Sequence, residues 1–301
     1  MRIALTGVSG FIGSVLARRL VEAGHSVTGL IRTSSKKDHI ASFVDRFVVG
    51  AQDDDACWPE LLEGADCVIH NSLDWSLLKD PVDLDGHLKS NVMDSIRLLN
   101  EAAPRQFIYI STIAVHHDMR PRWEGQIDED HPLRPDTLYG ACKAAIEAHL
   151  WAAHYSTGQH TSAFRPCAVY GIDPRLARSI GFPFIRQVRD SQRFDRPGGG
   201  KFVHVDDVAD AIIAAIGNPE AAGRAYNLAD CYARWSDLAQ MVAQLLGKEV
   251  EIDYSSPPEP KNVFSKDAVQ SLGVKLDRGH EGIRSYLKQL IEAMDRGAVE
   301  D

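Results

Sequence analysis

The first 31 residues consist of two short apolar runs separated by a stretch with helical periodicity. Residues 2–6 and 27–31 have the length and apolar character of buried β-strands. Between them, residues 14–25 carry apolar side chains at helical spacing, and Gly24 stands where a glycine commonly ends a helix. The pattern predicts a unit of strand, turn, helix and strand, which is the repeating unit of parallel sheets.

The same alternation continues as far as residue 171. Strands are predicted at residues 65–72, 106–115 and 161–171, and helices at residues 91–103 and from residue 139 onward. Residues 172–200 are rich in loop-forming residues. Alternating strands and helices predict an α/β fold built on a parallel sheet.

Size, composition and charge exclude several classes of protein. The chain has 301 residues, 44% of them hydrophobic and 25% charged, which is ample for a buried core. Its net charge of −9 and lack of a basic stripe argue against a nucleic-acid partner. No apolar run approaches the roughly 18 residues of a membrane span, and the first residues turn polar too early for a signal peptide. Five cysteines without a CxxC pair predict reduced thiols in a cytoplasmic protein.

The turn after the first strand, TGVSGFIG, has glycines at Gly7, Gly10 and Gly13. The first allows a tight turn, the second lets the backbone approach a pyrophosphate, and the third lets the helix pack near the strand. Free N–H groups and the helix dipole then face the anion. The residues predicted to bind a dinucleotide here are Gly7, Ser9, Gly10, Phe11, Ile12 and Gly13. A glycine-rich turn without a ligand is the alternative.

The second strand ends in LIRTSSKK, where an arginine, hydroxyl residues and two lysines follow the apolar run. Arg32 stands 19 residues after Gly13, near the position that meets the adenosine ribose in such units. An acidic residue there would bond the ribose 2′-hydroxyl, whereas an arginine makes charge-assisted contacts to a 2′-phosphate. We therefore predict NADP as the cofactor, with NAD as the alternative. A solvated basic loop is the interpretation that involves no ligand.

Tyr139 and Lys143 are four residues apart in YGACKAAIEAHL, so a helix projects both from one face. A tyrosine with its usual pKa of about 10 is a poor acid-base catalyst at neutral pH. A cation one turn away favours the phenolate, which predicts a lowered pKa for Tyr139. Thr112, which ends the preceding strand, is placed to hydrogen-bond a substrate oxygen. A surface Tyr–Lys pair on an amphipathic helix is the alternative.

These motifs resemble, in the same order, those of the extended short-chain dehydrogenase/reductase superfamily, in its NAD-dependent epimerase/dehydratase branch. The likeness rests on the spacing of TGVSGFIG, the helix led by Asn91, the strand running into Thr112, and the pair YGACK. The stretches RPCAVYG and HVDDVA extend it over nearly the whole chain. It implies a doubly wound parallel sheet of Rossmann type in residues 1–170, a return segment near residues 202–217, and a smaller C-terminal substrate lobe in most of residues 171–301.

The resemblance also implies roles for individual residues. Thr112, Tyr139 and Lys143 would be catalytic, and the lysine would also hold the nicotinamide ribose. Asn91 would be a fourth catalytic member, which stabilises the helix and a water near the lysine. Two further residues are expected to line the cofactor, namely Asn71 and Pro166.

A few positions depart from the family's pattern. Ile113 and Ala114 stand where nucleotide-sugar dehydratases carry an Asp-Glu pair, which disfavours elimination chemistry. Ala168 replaces an asparagine that is usual in sugar-nucleotide members. Ala51 replaces an acidic residue near adenine, with Gln52 or Asp53 as substitutes. These departures favour a NADP-dependent reductase or dehydrogenase acting on a carbonyl or alcohol. A sugar or nucleotide-sugar epimerase is the second hypothesis, and a cofactor-binding sensor without turnover is the third.

Two remaining expectations concern metals and assembly. Loop residues after Thr112 include His116, His117, Asp118 and His131, whose spacing matches no metal-binding motif. We therefore predict no metal. The resemblance implies a possible homodimer through the helices at residues 94–102 and 144–153.

Overall fold

The computed structural model of the chain describes residues 1–116 and 125–297. Its strands are β1 (Arg2–Thr6), β2 (Ser26–Ile31), β3 (Arg46–Val49), β4 (Cys67–His70), β5 (Gln106–Ile110), β6 (Gly125–Ile127), β7 (Thr161–Pro166), β8 (Ala168–Tyr170), β9 (Arg193–Phe194), β10 (Gly199–His204), β11 (Arg224–Leu228), β12 (Cys231–Arg234), β13 (Glu251–Ile252) and β14 (Asn262–Phe264). Its helices are α1 (Phe11–Glu22), α2 (Trp58–Leu62), α3 (Leu84–Gly86), α4 (Asp94–Ala102), α5 (Leu138–Thr157), α6 (Phe182–Asp190), α7 (Val205–Ala215), α8 (Trp235–Leu246), α9 (Asp267–Ser271) and α10 (Gly279–Asp295).

Seven strands form one central sheet in the order β11-β7-β5-β4-β1-β2-β3, and every neighbouring pair is parallel. The middle strands β4 and β5 are buried along their whole length, as expected for strands covered on both faces. The chain moves outward from β1 in one direction and from β4 in the other, so the winding reverses between these two strands. This confirms the predicted doubly wound, Rossmann-type sheet.

Helices cover both faces of the sheet. On one face α1 and α7 pack against the strands through apolar side chains such as Leu16, Leu20 and Ile212. On the other face α4 and α5 contribute Leu98 and Ile146 to a second core. The faces are therefore occupied by packing, and the carboxyl ends of the strands remain for ligands.

A smaller unit follows β8. Its three-stranded sheet, in the order β12-β10-β8, packs with α6, α8 and α10 around a separate core that includes Phe184, Leu238 and Leu287. The chain returns to the central sheet through α7 and β11. Because β11 pairs with β7 at the sheet edge, this return reaches beyond the predicted residues 202–217.

A fully buried ion pair links α5 to β7. Arg165 donates to both carboxylate oxygens of Glu147, over distances of 2.7 to 3.1 Å. Ser111 donates a further hydrogen bond to the same carboxylate. A buried carboxylate is tolerated when it is paired and hydrogen-bonded in this way. The pair therefore fixes α5 against the strands β5 and β7.

We expect Glu147→Ala to lower the free energy of unfolding by about 3 to 5 kcal/mol, because it leaves the Arg165 guanidinium buried without its counter-charge. Urea unfolding at pH 7 measures this change. The matched control is Glu63→Ala, which breaks the exposed pair with Arg46 and should cost at most about 1 kcal/mol. Equal losses in the two variants would show that the buried pair does not hold α5.

Candidate functional site

A cleft of about 400 Å³ opens at the carboxyl ends of β1, β2 and β4. It lies beside the point where the winding of the sheet reverses, which is the usual ligand position in such folds. The predicted cofactor residues that line it are Gly7, Ser9, Gly10, Phe11, Ile12, Arg32 and Asn71. Gly13 lies behind this surface, within α1.

The turn before α1 depends on its glycines. Gly7 has φ of +68°, in the left-handed region that favours glycine. A Cβ on Gly13 would lie 2.1 Å from the carbonyl oxygen of Gly7, so any side chain there would push α1 away from the turn. Gly10 caps α1 without a side-chain hydrogen bond. The first amides of the helix are therefore left to a ligand, and together with the helix dipole they suit a diphosphate.

Arg32 follows the last residue of β2 and is exposed at the edge of the cleft. Its amide donates to Ser35 Oγ at 3.1 Å, and the Ser35 amide donates to the Arg32 carbonyl at 2.9 Å, which closes a tight turn. Asp74 lies near the guanidinium. Burial raises the pKa of Asp74, but hydrogen bonds from Ser76 and the charge of Arg32 together hold it below its usual value. The arginine is thus part of the cleft wall.

Asn91 ties the two walls of the cleft together. The residue is buried, and its Oδ1 accepts from the amide of Asp74 at 2.8 Å and from Gln52 Nε2 at 2.7 Å. Its Nδ2 donates to the Asp74 carbonyl at 3.0 Å. The segments that follow β3 and β4 are therefore held by one amide group. The described contacts of Asn91 make it an anchor of the cleft walls.

The helix predicted at residues 91–103 starts with irregular geometry. His87–Met93 is a π-helix, and regular α4 begins only at Asp94. A π turn inserts an extra residue and is common at functional sites. Here it contains Asn91, whose Nδ2 also contacts His87 Nδ1 at 3.0 Å. The spacing of apolar residues does not predict this π-helix. The contacts that accompany it are polar and reach across the cleft.

The Thr112 side chain lies near enough to Tyr139 to act on the pKa of its phenol, which it lowers against the larger effect of burial. Gly140 permits this approach, because a Cβ there would lie 2.3 Å from the carbonyl oxygen of Ala114 in the turn after Thr112. The Trp75 indole packs on the Tyr139 ring, with ring centroids 4.8 Å apart. Trp75 also lines the cleft and is 56% exposed. It therefore connects the cleft with the two hydroxyl groups.

Lys143 lies one helical turn after Tyr139 and is buried. Its Nζ donates to the Ile110 carbonyl at 2.6 Å, 4.5 Å from the ring centroid of Tyr109 and 5.9 Å from that of Tyr139. Burial lowers the pKa of Lys143 to about 8. Burial also raises the pKa of Tyr139, against the opposing hydrogen bond from Thr112. The predicted lowered pKa of Tyr139 is therefore wrong in this structure, where desolvation by burial raises it.

A chain of buried hydrogen bonds runs behind the cleft from Thr6 to Asn91. Thr6 Oγ1 accepts from the amides of Asn71 and the next residue, so its own hydrogen goes to His70 Nδ1 at 2.8 Å. His70 Nε2 donates to Ser95 Oγ at 2.9 Å, and that hydroxyl donates to the Asn91 carbonyl. This order requires a neutral imidazole. Burial, aided by the charge of Lys143, lowers the pKa of His70 to about 3.

The remaining predicted residues lie apart from the cleft or outside the described ranges. Pro166 ends β7 and does not line the cleft. His117 and Asp118 lie outside the described residues, whereas His116 and His131 are hydrogen-bonded within the fold. Across residues 1–116 and 125–297, no cluster of His, Cys, Asp and Glu is arranged to hold a metal ion. In the same ranges no helix has the length and apolarity to cross a membrane.

Two cleft residues, Asp74 and Trp75, belong to no motif and were not predicted. Their only signal in the sequence is an acid and an aromatic residue soon after a strand that ends in polar side chains, HNSLDW. Gln52 also lines the cleft, and its Oε1 is buried with no hydrogen-bond partner in the described part of the chain. An unpaired buried acceptor beside a cleft fits an N–H donor of a ligand, such as the amino group of adenine.

The chain is similar in sequence to known proteins. The family model described as NAD dependent epimerase/dehydratase family matches residues 3–229. The chain is 30% identical over 243 residues to a UDP-glucose 4-epimerase of Mycolicibacterium smegmatis, covering 76% of this chain and 77% of that protein. It is 29% identical over 227 residues to a 4-hydroxy-2-methyl-3-oxo-4-farnesyl-3,4-dihydroquinoline-1-oxide ketoreductase of Stigmatella aurantiaca, covering 71% of this chain.

That second match spans 64% of the ketoreductase, which is less than two thirds of its length. Among solved structures, the chain is similar to a short-chain dehydrogenase/reductase superfamily protein from Agrobacterium tumefaciens with bound NAD. The two share a TM-score of 0.79 and 21% identity, over 98% of this chain and 99% of the other. At this identity the match shows a shared fold.

We expect the protein to lose stability as the pH falls from 6.5 toward 3, partly because unfolded His70 takes up a proton that the folded, neutral imidazole excludes. Between pH 6.5 and 4.5 this residue should account for roughly 2 to 3 kcal/mol. Urea unfolding across this range, compared with His70→Gln, isolates the effect. The variant should show a flatter dependence on pH, and an unchanged slope would contradict a neutral buried His70.

Proposed function

The chain belongs to the NAD dependent epimerase/dehydratase family and is an enzyme, and we propose that it uses NADP to interconvert a carbonyl and an alcohol. One observation carries this proposal, namely a single cleft that joins three features. The glycine turn lies at its centre, Arg32 lies on its wall, and Trp75 connects it with Tyr139. These features suit a diphosphate, a ribose phosphate and a reacting oxygen, respectively.

Arg32 is the reason for proposing NADP over NAD. Its guanidinium is exposed on the cleft wall, where a 2′-phosphate would receive two parallel hydrogen bonds. Asp74 lies near enough for the charge of Arg32 to help lower the pKa of its carboxyl. The Gly7 to Gly13 turn would hold the diphosphate, and Gln52 Oε1 would accept from adenine.

We assign acid-base catalysis to Tyr139, supported by Thr112. Thr112 lies near enough to Tyr139 to act on the pKa of its phenol, and Trp75 packs on the Tyr139 ring, so a substrate oxygen would bind beside these side chains. Tyr139 would donate its proton to the oxygen of a carbonyl that is being reduced, and a neighbouring hydroxyl, that of Thr112, would hydrogen-bond the same oxygen. A bound nicotinamide would supply the hydride. Lys143, with a pKa of about 8, would hold the ribose and exchange protons near the phenol.

An epimerase acting on a sugar or nucleotide sugar is the second candidate. It is favoured by the 30% identity to a protein named UDP-glucose 4-epimerase. Against it stands Ala168, which lacks the amide that would grip a nucleotide-sugar diphosphate. Ile113 and Ala114 likewise supply no carboxylates for elimination. Net consumption of NADPH during turnover distinguishes a reductase from an epimerase, whose cofactor returns to its starting state.

We also propose a homodimer and a cytoplasmic location. Helices α4 and α5 pack side by side, and α5 presents Ala148 and Ala152 on its exposed face. Small side chains allow a second copy to approach closely. All five cysteines are free thiols, which suits a reducing compartment.

We expect Arg32→Asp to weaken NADPH binding by at least about 30-fold, because it removes a charge-assisted contact and adds a repulsive carboxylate. NADH binding should change little or improve, since its ribose carries a hydroxyl group. Calorimetric titration of both nucleotides measures the two changes. If the native protein prefers NADH and the variant leaves that preference unaltered, Arg32 is a solvated loop residue.

Tyr139→Phe should lower kcat for carbonyl reduction by about 100-fold or more, because it removes the proton donor. NADPH affinity should remain near its native value, since the ring is retained. Steady-state kinetics with a panel of ketones and aldehydes provide the measurement. Tyr155→Phe, at a residue that is 78% exposed and does not line the cleft, is the matched control and should leave kcat unaltered. Retention of full turnover and cellular function in Tyr139→Phe would favour the non-catalytic sensor.

A further inference from the structure

The cleft has a second wall that comes from the lobe. The segment that follows β8 contributes three residues to the same cleft as the glycine turn, namely Asp173, Arg175 and Arg178. The segment that carries them lies against the start of α1, since a Cβ on Gly171 would come within 3.1 Å of the Phe11 ring. Two arginines therefore line the same cleft as the first residues of α1.

This segment is a rigid turn. Asp173 accepts a hydrogen bond from the Arg175 amide at 2.7 Å, and its own amide donates to Ser179 Oγ at 3.0 Å. Leu176, between the two arginines, is buried in the lobe core. The backbone of the turn is therefore fixed, while the arginine side chains remain at the surface of the cleft.

The two arginines are also placed to act together. Leu176–Arg178 is a 3₁₀ turn that follows Arg175, and the Arg178 amide donates to the Arg175 carbonyl at 2.8 Å, so the two residues are neighbours across one turn. Both side chains are exposed, and neither forms a salt bridge with a carboxylate in residues 1–116 or 125–297. Two neighbouring cations without such a partner repel each other, and an anion of high charge between them removes that repulsion.

We propose that Arg175 and Arg178 bind the diphosphate of the dinucleotide from the lobe, opposite the amides of α1. This assignment rests on the proposed NADP-binding function of the cleft. The diphosphate carries two negative charges, and its oxygens match the fork of a guanidinium. Cofactor binding would then join the lobe to the central sheet across the cleft.

The test is calorimetric titration of the full chain with molecules that each carry one part of the cofactor. ADP carries the diphosphate without a 2′-phosphate, and adenosine 2′-monophosphate carries the 2′-phosphate without a diphosphate. The variant with Arg175→Ala and Arg178→Ala should bind ADP, NADH and NADPH about tenfold or more weakly, and by similar factors. It should bind adenosine 2′-monophosphate normally. Arg32→Ala should give the reverse pattern with the two mononucleotides.

Arg186→Ala is the matched control, because this arginine is exposed on the neighbouring α6 and does not line the cleft. It removes the same charge and should leave ADP binding unaltered. Arg175→Lys with Arg178→Lys should restore part of the affinity, because the positive charge is kept and the fork is lost. Native ADP affinity in the double alanine variant would overturn the proposal, as would an equal loss in Arg186→Ala.

The outcomes separate this inference from the proposed cofactor preference. If Arg32 variants fail to discriminate NADPH from NADH but the double variant still loses ADP affinity, the NADP assignment fails and the lobe contact stands. If the Arg32 variants behave as expected and ADP binding does not depend on the lobe arginines, the lobe contact fails alone.

Discussion

The close contact between Gly13 and the carbonyl oxygen of Gly7 is the constraint on which the site depends. A Cβ at Gly13 would lie 2.1 Å from that oxygen, so α1 reaches its position only because the residue has no side chain. The contact brings the start of α1 to the end of β1, where its first amides face the cleft. The neighbouring segment is fixed by the same turn, because Gly7 also lies against the backbone of Asn71.

Around this contact, the cleft is held by buried polar groups. The chain from Thr6 through His70 and Ser95 to Asn91 is satisfied at each step, so it gains directional bonds without leaving a buried polar atom unpaired. Asn91 extends it to both cleft walls through Asp74 and the segment after β3. Such groups rigidify a binding site in a way that apolar packing alone does not.

The candidate catalytic groups are positioned by α5. Gly140 lets this helix approach the turn after Thr112, and the buried pair of Glu147 and Arg165 fixes it one turn beyond Lys143. The same burial keeps Tyr139 protonated and makes Lys143 easier to deprotonate. Desolvation is therefore the largest influence on the pKa of both side chains.

The sequence by itself determined the doubly wound sheet, because strands buried on both faces must be apolar runs and the helices between them must carry apolar stripes. It also determined the glycine turn and the position of Arg32, because both depend on local backbone geometry and on distance along the chain. Tertiary structure alone decided the pKa of Tyr139, the packing of Trp75 on its ring, the π-helix around Asn91 and the meeting of Arg175 with the cleft. Each of these depends on segments distant in sequence, whose contacts and desolvation no local pattern encodes.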